Sequence, residues 1–126
     1  MKQNPETFFK GPDIRLYLDD LREMPLHFTH MVRRAVDAIE IIRSGRVTEV
    51  SLDHDLGVWD HDDKHNGYMV ACAIEEMAKF GDIPRLKWKV HSDNPPGAKK
   101  MIAALTKADF HWEDHEREER EERENE

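Results

Sequence analysis

Residues 47–55 read VTEVSLDHD, a β-branched, apolar run from Val47 to Leu52 that closes on an aspartate. The same pattern recurs on both sides of it. Upstream, Ile14, Leu16 and Leu18 alternate with Arg15 and Tyr17 after a Gly11-Pro12 break, and the run closes on Asp19-Asp20. Downstream, Leu86, Trp88 and Val90 alternate with Lys87 and Lys89 and run into His91-Ser92. Each of the three reads as a short strand ending in polar residues.

The segments between the strands carry helical spacing. From Phe28 to Ile42, apolar residues recur at intervals of three and four (Met31, Val32, Ala35, Val36, Ile39, Ile42), which predicts an amphipathic helix stopped by Ser44-Gly45. Asn66 is placed to cap a second helix with core positions Val70, Ile74, Met77 and Ala78, and Gly81 and Pro84 end it. Cys72, beside Ala71 and Ala73, is expected there as a small packed residue. Asn94 before Pro95-Pro96 supplies cap and first-turn chemistry for a third helix through Met101, Ile102 and Leu105. Phe110 and Trp112 are expected to add a final edge strand. The order β-α-β-α-β-α with short connections predicts an α/β fold, a mostly parallel sheet with helices on its faces.

Composition bounds the rest. The chain has 126 residues with 27 acidic and 19 basic side chains, a formal net charge of −8. That length suits one domain. Nine acids and three arginines fall between Glu113 and Glu126, so −6 of the −8 lies in fourteen positions without an apolar residue. Residues 1–112 are therefore expected to form the domain, and 113–126 a Glu/Arg-rich tail, a solvated helix or disordered, able to meet a protein partner. No apolar run approaches the ~20 residues of a membrane span, and MKQNPETFFK lacks the apolar stretch of a signal peptide. One cysteine excludes an internal disulfide and a cysteine-based zinc cluster, which fits a cytoplasmic setting.

Asp19-Asp20, Asp53-His54-Asp55 and His91-Ser92-Asp93-Asn94 all stand where a predicted strand ends. In an open parallel sheet the ligand crevice lies outside the carboxyl ends of the strands, so the three groups converge there. Turn capping is the other use of an aspartate at such a place, but it does not require convergence. Asp19, Asp20 and Asp53 together would crowd negative charge, which a divalent, oxygen-liganded metal would neutralise. Mg²⁺ is the expected ion, with Mn²⁺ as its substitute. Ser92, Asn94 and the helix start behind them suit phosphate oxygens, with Arg22 or Lys99 as the cation. His54 and His91 have the titration range of general acids and bases, with Asp55 beside them. Trp59 and Tyr68 are candidates for stacking on a base, and His61 and His65 have a weak metal-ligand spacing.

The strings LYLDDLREMP, VSLDHDLG, NGYMVACAIEE and KVHSDNPPGAKKMI resemble the cyclic-phosphate processing receiver-like domain family, related to response-regulator receivers, over about residues 14–105. The resemblance implies a small flavodoxin-like three-layer sandwich with three to five strands, reduced relative to a full receiver. It further implies that Asp19 and Asp20 match the Mg²⁺-binding acidic pair, Asp53 the phospho-accepting aspartate and Ser92 the hydroxyl that touches the phosphoryl group. Phosphoester chemistry on cyclic phosphates of RNA ends or nucleotides is the implied activity. His54, Asp55 and His91 exceed what a phosphorylation switch needs and favour a metal-dependent phosphoesterase. A non-catalytic receiver or nucleotide-binding module, and an acidic interaction protein working through its tail, are the alternatives.

Overall fold

The computed structural model describes residues 13–57 and 65–125. Four strands, β1 (Ile14–Leu18), β2 (His30–Val32), β3 (Val47–Leu52) and β4 (Lys87–Val90), form one all-parallel sheet in the order β2-β1-β3-β4. Three helices, α1 (Ala35–Arg43), α2 (Gly67–Phe80) and α3 (Pro95–Glu124), complete an α/β fold, as the sequence pattern predicts.

The direction of each crossover explains the layering. From β1 the chain steps one way to β2, then the other way to β3 and on to β4. Right-handed crossovers place steps of opposite direction on opposite faces of the sheet. Accordingly α1 packs on α2 and α2 on α3, and the core under them holds Leu16, Leu18, Val50, Leu52, Ile74, Met101 and Leu105, all fully buried. Each such side chain contributes about 1.5–3 kcal/mol by leaving water. The alternate strand residues Arg15, Tyr17, Glu49, Ser51, Lys87 and Lys89 face the other way. That third layer is the β1–β2 connection, where a helix would be expected: Phe28 lies against Tyr17 at 5.3 Å, His27 pairs with Glu49 at 2.9 Å, and Arg15 Nε donates to the His27 carbonyl.

Two predicted elements change. The helix expected from Phe28 begins only at Ala35, because His30–Val32 instead pairs with Leu16–Leu18 as an edge strand. Three residues cannot hold a strand by propensity alone, so the bonds of β1 decide it. Phe110 and Trp112 form no edge strand; they lie within α3, Trp112 buried with its indole N–H donating to the Ile83 carbonyl and Phe110 exposed. Cys72 is exposed rather than packed.

The caps at Asn66 and Asn94 form as the sequence implies: their side-chain oxygens accept from Met69 N at 3.2 Å and Gly97 N at 3.1 Å. Past Trp112, α3 continues unbroken. Arg85 meets Glu113 and Glu116, and His115 Nε2 donates to the last carbonyls of α2, those of Ala78 and Lys79. Beyond that turn the helix is almost wholly exposed. Among the described residues no helix is long and apolar enough to cross a membrane.

Candidate functional site

The chain reverses its direction across the sheet between β1 and β3, the switch point where such folds bind ligands. The ladder runs one residue past each strand there. Asp19 N donates to Val32 O, Asp53 N to Leu18 O and His91 N to Leu52 O, at 3.2, 3.0 and 3.0 Å. Those bonds set three side chains level along one crest. One ligand atom each from Asp19, Asp53 and His91 lies within 4.8 Å of the others.

A cleft of about 280 Å³ opens above them. Five carboxylates line it, those of Asp19, Asp20, Asp53, Asp55 and Asp93, with Leu21 and a single cation, Arg22. Gly57, at φ +58°, closes on the Asp20 carboxylate so tightly that a Cβ would stand 2.5 Å from Oδ2. A side chain at 57 would displace Asp20.

The carboxylates differ in how they are held. Asp19 is 1% exposed, and its Oδ1 accepts from Leu21 N and Arg22 N at 2.9 Å while Oδ2 accepts from His91 Nε2 at 2.9 Å. Burial pushes its pKa up, yet the two amides and the histidine outweigh burial and hold the carboxyl below its ordinary 3.8. With Oδ1 filled, Oδ2 keeps one lone pair toward the cleft. Asp53 accepts from the His54 amide through Oδ1. Burial first, then the charge of Asp19 and more weakly that of Asp20, raises its pKa to about 6.

Arg22 does not neutralise this group. Its Nη2 donates to Asp93 Oδ2 at 2.8 Å, which raises its own pKa, and its Nε stands 3.9 Å from Asp19 Oδ2. The crowded carboxylates thus fit a divalent cation: oxygen donors, an unfilled coordination position on Asp19, and in Asp53 a carboxyl whose pKa burial and neighbouring negative charge raise to about 6.

At the rim, His54 Nδ1 stands 2.7 Å from Asp55 Oδ1, and Asn94 Nδ2 donates to both Asp55 oxygens at 3.1 and 3.3 Å. The His54 contact and then the Asn94 amide hold the Asp55 carboxyl below its ordinary range against burial. The imidazole packs on the first turn of α3, where a Cβ on Gly97 would lie 2.5 Å from its Cγ. Any other residue at 97 would push the ring away.

Of the residues singled out from the sequence, Asp19, Asp20, Arg22, Asp53 and Asp55 meet in the cleft. His91 lies behind Asp19 rather than in the lining, and His54 and Asn94 stand behind Asp55. Ser92 Oγ is turned to the Asn94 amide at 3.1 Å, and Lys99 is exposed on α3 outside the lining. Tyr68 is on α2, also outside the lining. Trp59 and His61 lie outside the described residues.

Two participants were not singled out, Ser51 and Tyr17, and Asp93 was read only as a member of its polar group, without a role. Ser51 Oγ lies 2.6 Å from His91 Nδ1, Tyr17 stacks on the same ring, and Asp93 holds Arg22. The available signal for Ser51 was a hydroxyl in the apolar run of β3, two residues before Asp53.

A family model for the cyclic-phosphate processing receiver domain matches residues 14–107, from the first residue of β1 into α3. No curated protein and no solved structure matches the chain.

Proposed function

The chain belongs to the cyclic-phosphate processing receiver family, and on that premise we propose that it is a metal-dependent phosphoesterase acting on cyclic phosphates of RNA ends or nucleotides. The supporting observation is the convergence of Asp19, Asp20 and Asp53 on one cleft at the β1/β3 switch point, with Arg22 the only cation among the lining residues.

In this reading Asp19, Asp20 and Asp53 hold Mg²⁺, or Mn²⁺ in its place. Bound there, the ion polarises the phosphoryl group and offsets charge on its oxygens. The chain's own groups do the rest. Arg22, whose closest partner is the exposed carboxylate of Asp93, turns to the phosphate oxygens. Asp55 is a hydrogen-bond acceptor only, so His54 Nδ1 carries the proton between them and Nε2 is left to exchange one with the reacting groups. Asn94 fixes Asp55 and starts α3. Water adds to phosphorus, one P–O ester bond breaks, and the departing ribose oxygen takes up a proton.

Purified protein assayed against 2′,3′-cyclic nucleotides and RNA with a cyclic-phosphate end, with and without Mg²⁺ or Mn²⁺, tests this. Metal-dependent turnover is expected, with a loss of about 10³-fold or more in Asp53→Asn, where a charge at the reacting group disappears. No metal-dependent turnover, or equal turnover in that variant, overturns it. A stable acyl phosphate formed on Asp53 from a small phosphodonor, without turnover, would assign the site to a phosphorylation switch.

A further inference from the structure

The His91 ring is held on three sides beneath the cleft. Its Nε2 meets Asp19 Oδ2 at 2.9 Å, its Nδ1 meets Ser51 Oγ at 2.6 Å, and the Tyr17 ring lies parallel to it, centroids 4.5 Å apart and planes 1° from parallel. Ser51 is 2% exposed, so its hydroxyl is out of reach of substrate.

The direction of these bonds follows from what each group can do. An ionised Asp19 only accepts, so Nε2 carries hydrogen; the imidazole then accepts at Nδ1, and Ser51 must donate. The hydroxyl on β3, the ring after β4 and the carboxylate after β1 form one directed chain across the carboxyl ends of three strands.

We propose that Ser51 is a positioning residue of the site: Asp19 sets His91 as the Nε2–H tautomer, and the Ser51 hydroxyl, donating to Nδ1, anchors that ring so that it fixes the Asp19 oxygen that faces the cleft. The consequence for the cation rests on the function proposed above; the tautomer does not. Both nitrogens of His91 are then committed, which leaves proton exchange with substrate to His54. Partners of this kind behind a metal ligand typically alter affinity about 10–100-fold when removed.

The full chain labelled with ¹⁵N reports the His91 tautomer through its two- and three-bond couplings from ring protons to ring nitrogens. Wild type is expected to show a single Nε2–H form. Ser51→Ala should keep that form but lose the hydrogen bond at Nδ1, read as a downfield shift of the Nδ1 resonance, and weaken Mg²⁺ binding, titrated as the metal alone, by about tenfold or more. Ser51→Thr, which keeps the hydroxyl, should restore both. An Nδ1–H or doubly protonated ring in wild type, or an unshifted Nδ1 resonance in Ser51→Ala, overturns the proposal. If wild type binds no Mg²⁺, the cation reading fails, and the ring-nitrogen spectrum alone still decides for or against Ser51.

Discussion

Nine acidic side chains stand between Glu113 and Glu126, and five line the cleft. Eight of the nine sit on the far turns of α3, where Glu and Arg alternate along an exposed helix and each charge keeps its water. The smaller group is raised on three strand ends into a partly buried cleft, and there one carboxyl moves to about 6. Burial and spacing, not the number of charges, decide which acids acquire chemistry. In the cleft, moreover, the same hydrogen bonds that keep Asp19 ionised leave Asp53 to bear the repulsion.

This contrast can be pressed hardest through pH. Below about 6 a proton and a cation compete for Asp53, so Mg²⁺ affinity should fall about tenfold from pH 7 to pH 5. Calorimetry in buffers of different ionisation enthalpy would also detect a proton released on binding at pH 5.5. A flat affinity across that range would place Asp53 outside the coordination sphere.

A second effect concerns stability without metal. The Asp53 pKa is raised in the folded chain from its ordinary 3.8 to about 6, so the folded state binds the proton more tightly than the unfolded one. Its contribution to stability therefore falls as pH rises across that interval and stays lowered above it. Asp53→Asn removes the charge and should stabilise the metal-free protein at pH 7 while destroying turnover. The full shift would correspond to roughly 3 kcal/mol, which solvent in the open cleft reduces to about 1 kcal/mol. The gain should vanish at pH 4, where wild-type Asp53 is largely protonated as well; thermal melts at the two pH values decide.

The smallest effect belongs to the tail. Removing residues 117–126 leaves the contacts of Arg85 and His115 in place. It should change stability by no more than about 0.5 kcal/mol and leave cation affinity unaltered. A larger change in either would make the charged turns part of the working protein.

What the sequence reveals of this architecture depends on how local the cause is. Aspartates closing apolar runs, and asparagines before helix starts, announce themselves because the turn and the cap are made within four residues. Asp19, Asp53 and Asn94 were legible for that reason. β2 was not: Met31 and Val32 fit a helix as well as a strand, and only pairing with Leu16–Leu18 separates the two. Ser51 and Tyr17 share the same difficulty, since their partner His91 is about 40 and 70 residues away in sequence, and alternation reports only that they point away from the core. Asp93 likewise became significant only when Arg22, 71 residues earlier, was brought beside it. The continuation of α3 past Trp112 was obscured by two aromatics two residues apart, which is the spacing of a strand.

That helix also works as a ruler. Its thirty residues span about 45 Å, starting at a cap whose asparagine touches Asp55 and ending in open solvent. A probe attached near Glu124 is held far from the cleft and reports only on the body as a whole, whereas one at Lys99 is within about a turn of the His54 ring. The two ends of a single element thus offer a built-in control for any optical measurement of ligand arrival.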